Sequence, residues 1–335
     1  MMKKQYISIL MAFVLLLTGC GVQKEQEYTQ EFYAMDTAMR LTAYGDHAHD
    51  AVIKSVSYIN MLEADISRTK ESSDISALNH AGGKQTELSR QTADILQEAL
   101  DLAAKTEGRF DPTVAPLSDL WGIGTEQAAV PSQDEIDTVL PLVDYTKVLL
   151  EGNKASIPAG AELDLGGIGK GYAADHVVAI LKEHGVQRAI VALGGNVYAL
   201  GQKEDGVPWK VGITDPENPG NSFATLSVSD TAVVTSGDYE RYLEVDGKRY
   251  CHIFDPETGY SAETDLRSVT VVSPDSTSAD AYTTALFVMG LEDAVTFCEQ
   301  NDIEAVFVCK DHTVYVTDGL KSSFELQSTE YTYAE

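Results

Sequence analysis

In the stretch "STSADAYTTALFVMG", residues 276–290, Asp280 and Thr284 stand one helical turn apart. A spacing of i and i+4 puts both side chains on one helix face, near the positive N-terminal end. A carboxylate and a hydroxyl there are two oxygen ligands that could meet. The same residues also suit plain helix chemistry. Ser276, Thr277 or Ser278 can cap the helix, Asp280 can offset the dipole, and Thr284 can bond back to the carbonyl four residues earlier. Spacing alone leaves both readings open.

Three other segments carry residue types with chemical uses. "LDLGGIGKGYAADHV", residues 163–177, passes through four glycines and Lys170 into a helix expected from about Lys170 to His184. Glycines admit close backbone approach, and a helix N-terminus with a lysine attracts phosphate. It lacks the GK[ST] of a Walker loop and the strand-following GxGxxG, so a tight turn serves it equally. "GRFDPTVAPLSDLWGIG", residues 108–124, can present Phe110 and Trp121 to a flat ring or bury them as core anchors. "TSGDYERYLEVDGKRYCHIFDPETGY", residues 235–260, sets Tyr239 and Arg241 before a "DG" hairpin turn and His252 and Asp255 after it. His252 enters a Pro and Gly loop, a common place for functional side chains, while Asp255 before Pro256 can form an Asx turn.

These segments need a sizeable scaffold, and 335 residues with 44% hydrophobic content supply one. "EFYAMDTAMRLTAYG" reads as strands, and "DHAHDAVIKSVSYINMLEADIS" and "LSRQTADILQEALDLAAKTEG" as helices. A hairpin-like pair lies in "YTKVLLEGNKASI". From "RAIVAL" onward, β-branched strands dominate, and two helices with the strands "EAVFVCK" and "TVYVTDG" close the chain. The expected class is α+β, with mixed or antiparallel sheets flanked by helices, helix-rich in its first third and strand-rich after it.

Lys3 and Lys4, the apolar run to Leu17 and "LTGC" form a secretory signal pattern over residues 1–19. The setting resembles a bacterial lipoprotein signal, which makes Cys20 the lipid-bearing N-terminus on the outer face of the cytoplasmic membrane. Residues 20–30 read as a tether, 31–325 as one domain and 326–335 as a polar tail. A net charge of −28 excludes a nucleic-acid partner and a polybasic membrane patch. Cys251, Cys298 and Cys309 form no zinc pattern, and either one disulfide or three buried thiols fits them.

In order, "FDPTVAPLSDLWGIG", "LDLGGIGKGYAADHV", "ALGGNVYALG", "VVTSGDYERY", "CHIFDPETGY" and "SADAYTTALFVMG" resemble the bacterial FAD:protein FMN transferase family, over about residues 31 to 320. The resemblance implies Mg²⁺ and FAD, cleavage of the pyrophosphate, a phosphoester from FMN to a Thr or Ser of an extracytoplasmic protein, and release of AMP. It implies metal ligation by Asp280, Thr284 and the carbonyl of Gly169, which stands where the family often has Ala. It places Lys170 on the diphosphate and Gly194 and Gly195 close to the cofactor. Met35, Asn79, Trp121, Asp164 and Tyr239, with Ser67 beside them, are implied pocket residues. His252 is implied either to take a proton from the acceptor hydroxyl or to orient phosphate. Acceptors of this family carry a "D…(S/T)GA(T/S)" segment, which this chain lacks. An FAD pyrophosphatase and a non-enzymatic flavin-binding lipoprotein are the alternatives.

Overall fold

The run Leu266–Ser273 is buried at its first six residues. A strand with both faces covered belongs in the middle of a layered structure. The computed structural model describes residues 26–334, so Cys20 and its signal lie outside the described residues. In chain order the elements are β1 (Glu27–Ala34), β2 (Thr37–Tyr44), α1 (Ala48–Ile66), α2 (Asp74–Asn79), β3 (Thr86–Glu87), α3 (Arg90–Lys105), α4 (Ala115–Trp121) and α5 (Gln133–Val139). There follow β4 (Leu149–Glu151), β5 (Lys154–Ser156), α6 (Gly166–Glu183), β6 (Arg188–Leu193), β7 (Asn196–Leu200), β8 (Trp209–Asp215), β9 (Asn218–Val228) and β10 (Thr231–Gly237). The chain continues with β11 (Tyr242–Val245), β12 (Lys248–Cys251), β13 (Leu266–Ser273), α7 (Ser276–Met289), α8 (Leu291–Asn301), β14 (Glu304–Cys309), β15 (Thr313–Val316), β16 (Phe324–Leu326) and β17 (Thr332–Tyr333).

The fold is α+β, as expected. A nine-stranded sheet runs in the order β1-β2-β6-β7-β10-β13-β14-β15-β17. Its pairs are antiparallel except β15 with β17, which makes the sheet mixed. On one face, Leu41, Val191, Leu193, Val234 and Val271 pack with residues of α1, α3, α6, α7 and α8 in the main core. On the other, Ala199, Val233, Val306 and Val308 pack against the small sheet of β8, β9 and β16. Strand β6 alternates in burial because each face meets a different layer. Among the described residues no helix is long and apolar enough to cross a membrane.

Several boundaries differ from the sequence reading. β1 starts at Glu27, inside the expected tether, because it pairs along its whole length with β2. The expected polar tail includes β17, and the Tyr331 hydroxyl is buried against Asp215. Helix α6 starts at Gly166 rather than near Lys170 and absorbs the glycines read as a loop. Asp275, not one of the next three residues, caps α7, accepting from the Ser278 N–H at 3.0 Å. Cys251, Cys298 and Cys309 are free and buried.

Glycine is poor in a helix, so its place in α6 needs a packing cause. A Cβ on Gly171 would lie 2.2 Å from the Ser276 carbonyl oxygen and 2.8 Å from Thr277 Cα. Only the absent side chain lets α6 and α7 meet there. Gly171→Ala is therefore expected to lower stability by about 1–3 kcal/mol despite its better helix propensity. Chemical denaturation measures this, and a variant at least as stable as the parent would show that the close approach is not required.

Candidate active site

The Gly171 contact sets the first polar arrangement. The Gly171 N–H donates to Asp280 Oδ2 at 2.9 Å, and Asp280 is only 3% exposed. Lys170 Nζ stands 3.6 Å from Asp280 Oδ1 and donates to the Gly166 carbonyl at 3.3 Å. The carboxylate is thus held at the seam of two helices instead of serving as a cap. Asp175 and Asp275 do the capping. Asp175 accepts from the N–H groups of Ser276 and Thr277, at 3.0 and 2.8 Å, and from the Thr277 hydroxyl at 2.6 Å. Burial pushes the Asp175 carboxyl up despite these bonds.

The Thr284 hydroxyl makes no hydrogen bond among the described residues, so the back-bond considered for it is absent. The neighbouring Thr283 makes one instead, donating to the Asp280 carbonyl at 2.8 Å and pairing with Ser236 Oγ at 2.8 Å. A Cβ built on Gly167 would lie 3.8 Å from Thr284 Oγ1, so this hydroxyl looks at the first turn of α6. Gly169 belongs to the same first turn. Its carbonyl has a second lone pair beyond the helical bond. Among the described residues no group of three or more His, Cys, Asp or Glu can hold a metal. The Asp280 carboxylate, the Thr284 hydroxyl and the Gly169 carbonyl make a donor set of one charged and two neutral oxygens, which fits Mg²⁺ retaining water and phosphate ligands.

One end of the large sheet borders this seam. Gly194 and Gly195 form the two-residue turn between β6 and β7, beside the β1–β2 turn, where Met35 and Asp36 both have positive φ. A Cβ on Gly195 would sit 3.1 Å from the Thr235 carbonyl and 3.3 Å from Glu240 Oε1. The turn therefore presents bare backbone next to a carboxylate. Burial raises the Glu240 pKa, Lys170 and Arg241 pull it down, and Asp280 raises it. Asn196, next in β7, is 1% exposed and neither amide atom has a partner among the described residues.

His252 follows the β11–β12 hairpin. Its N–H donates to the Arg241 carbonyl at 3.0 Å, and Nδ1 lies 3.3 Å from the same oxygen. A carbonyl can only accept, so Nδ1 carries the proton and Nε2 keeps its lone pair. Desolvation, then the charge of Arg241 and more weakly that of Lys170, push the imidazole pKa down to about 4, against the one bond that raises it.

Four expected pocket residues have protein partners of their own. The Asn79 amide donates to the Leu163 carbonyl at 3.0 Å and accepts from its N–H at 2.8 Å, so it positions the approach to α6. Trp121 is fully buried with Phe254 and Ile136, and its indole N–H donates to the Gly259 carbonyl at 3.0 Å. It is a core anchor. Asp164 accepts from the Gly166 N–H at 2.7 Å and pairs with Arg68 at 3.1 Å, fixing the start of α6. The Tyr239 hydroxyl bonds Thr214 of β8, and burial raises its pKa. Ser67 stays partly exposed, accepting from the Thr69 N–H at 3.3 Å. Asp255 forms the expected Asx turn, accepting from the Glu257 N–H at 2.9 Å. Glu240, Asp175, Arg68 and Asn196 were not singled out in the sequence. Their partners are distant in the chain or absent, and no local spacing marks them.

His252 gives a pH signature. Below about 6.5 the unfolded chain takes up a proton that folded His252 refuses until about 4. Stability from this group is thus complete above about 6.5 and declines as pH falls through that window. NMR titration of His252 is expected to give a midpoint near 4, and His252→Asn to flatten the pH dependence of the melting temperature between these values. A midpoint near 6.5 would contradict the site geometry.

Comparison with known proteins places this arrangement. The ApbE family model matches residues 35–307. An FAD:protein FMN transferase of Treponema pallidum is 36% identical over 338 residues, covering 94% of this chain and 93% of that protein. One from Escherichia coli K12 is 31% identical, covering 92% and 93%. Among solved structures, an ApbE protein of Thermotoga maritima superposes with a TM-score of 0.84 at 32% identity, covering 89% of this chain and 99% of that one. The flavin transferase ApbE of Vibrio cholerae gives 0.81 at 28% identity, covering 89% and 99%.

Proposed function

The chain belongs to the ApbE family, and from that premise we propose that it is a Mg²⁺-dependent FAD:protein FMN transferase. It attaches FMN through a phosphoester to a Thr or Ser of an extracytoplasmic protein and releases AMP. The observation that carries this reading is the buried Asp280 carboxylate, held between the Gly171 N–H and Lys170 with Thr284 one turn further on.

Asp280, Thr284 and the Gly169 carbonyl would hold the metal. Bound Mg²⁺ supplies charge neutralisation on the diphosphate and an oriented phosphorus for in-line attack. The protein contributes the rest. Lys170 can leave Asp280 for a diphosphate oxygen, and the N-terminus of α6 adds the positive end of its dipole. Gly194 and Gly195 leave room for the cofactor backbone. At neutral pH His252 is an uncharged imidazole with Nε2 free, so it can accept the proton of an incoming hydroxyl. Its tautomer is fixed by Arg241, which favours the proton-accepting role over phosphate orientation.

Asp280→Ala is expected to lower AMP release from FAD on the order of 10²-fold or more, since a lost metal ligand forfeits several kcal/mol of charge stabilisation. Turnover should vanish with EDTA and return with Mg²⁺. The assay combines FAD, Mg²⁺ and an acceptor peptide with intact mass and AMP measurement. Parental turnover by Asp280→Ala would sink the assignment. A gain of FMN on the enzyme itself without acceptor would overturn transfer to another polypeptide, and AMP release indifferent to acceptor would favour the pyrophosphatase.

The N-terminal pattern supports lipidation at Cys20 and residence on the outer face of the cytoplasmic membrane, where one surface concentrates enzyme and target. Wild-type protein is expected to partition into detergent and Cys20→Ala into the aqueous phase or an unprocessed precursor. Equal membrane retention of mature Cys20→Ala would show another anchor.

A further inference from the structure

The strand that leaves the site is an open edge. β11 pairs only with β12, joined by the two-residue turn Asp246–Gly247. The His252 N–H to Arg241 carbonyl bond makes Arg241 and His252 a hydrogen-bonded pair. Pairs alternate along an antiparallel ladder, so Leu243 and Val245 bond inward to β12 while the N–H and C=O of Tyr242 and Glu244 point outward. No bond to either outward pair is seen among the described residues. The opposite edge is covered, since the Cys251 carbonyl accepts from Ser261 Oγ at 2.8 Å.

Natural edges are usually kept short, charged, or interrupted by proline or bulges. β11 is short and carries Glu244, but it has no proline or bulge, and it exposes Tyr242 at 43% and Val245 at 38%. The strand also runs directly from the site. Arg241 fixes the His252 tautomer, and Glu240 lies beside the Gly195 turn. β11 begins one residue after Arg241 and two after Glu240, which form a bend, so a chain paired opposite Tyr242 ends next to the two residues that border the site.

We propose that the acceptor polypeptide docks by adding an extended strand to the outer edge of β11, main-chain bonds to Tyr242 and Glu244 setting the register that delivers its hydroxyl to the site. This rests on the transfer reading and names how the acceptor is recognised. Backbone pairing supplies affinity with little demand on sequence, and Tyr242 on one face of the strand and Val245 on the other each offer a contact for a peptide side chain.

The N–H of Glu244 points away from β12, so Glu244→Pro removes one outward donor while the ladder bonds of Leu243 and Val245 survive. With a synthetic peptide built around a D…SGAT segment, Glu244→Pro is expected to raise the peptide KM about tenfold, as loss of a main-chain bond and its register predicts. Glu244→Ala should stay within about twofold of the parent, and FAD affinity, melting temperature and peptide-independent AMP release should be unchanged. A Glu244→Pro enzyme with parental peptide KM would overturn the proposal. Two peptides N-methylated on alternate amides test the wild type directly. Only the set facing β11 should abolish transfer, and equal behaviour of both sets would refute strand addition. Hydrogen exchange separates docking from chemistry. Slowed exchange at Tyr242 and Glu244 on adding peptide to FAD-loaded enzyme supports docking even if FMN goes to water, whereas unchanged exchange overturns it. Absence of any FAD cleavage by the wild type would count against the transferase reading itself.

Discussion

The contact between α6 and α7 at Gly171 is the constraint on which the site depends. With no side chain there, the Ser276 and Thr277 backbone packs against the helix, and the Gly171 N–H turns to Asp280. A buried carboxylate is costly unless bonded, and here a backbone donor and an ammonium group compensate it. The helix seam is therefore also a charge site. Its preorganisation comes from packing, since Asp175 and Asp275 already satisfy the N-terminus of α7 and free Asp280 for other work.

The large sheet supplies the second wall. Its antiparallel order brings the Met35–Asp36 turn, the Gly194–Gly195 turn and the end of β10 to one edge of the molecule. Covering layers bury the central strands on both faces, and β1 and β2 on one, so these ends are held in place and function gathers in the turns. Asn79, Asp164 and Trp121 belong to this support. Each spends its polar atoms on backbone or on a fixed ion pair, and together they hold the entry to α6 and the aromatic cluster behind the hairpin.

The electrostatics divide the roles. Lys170 and Arg241 lie among Asp280, Glu240 and His252, in a chain of strongly negative net charge. Burial, reinforced by the same two cations, holds His252 neutral, while burial raises the Glu240 pKa and the two cations only partly offset it. A site that gathers positive groups suits a diphosphate ligand, while the acidic remainder of the surface discourages other polyanions.

By itself the sequence determined the α+β class, most elements and the i, i+4 placement of Asp280 and Thr284. Those features follow from local periodicity and turn chemistry, which a linear chain displays. The six ordered motifs also pointed to the family that the comparisons establish. The tertiary structure alone decided that the glycine-rich segment is helical, that Asn79 and Trp121 serve the scaffold, that Tyr239 turns to β8, and that Glu240 and Asn196 border the site. Asp280 lies 109 residues from Gly171, and Trp121 lies 138 from Gly259. A polar side chain's role depends on which partner reaches it first, and when that partner comes from a distant element, only packing selects it.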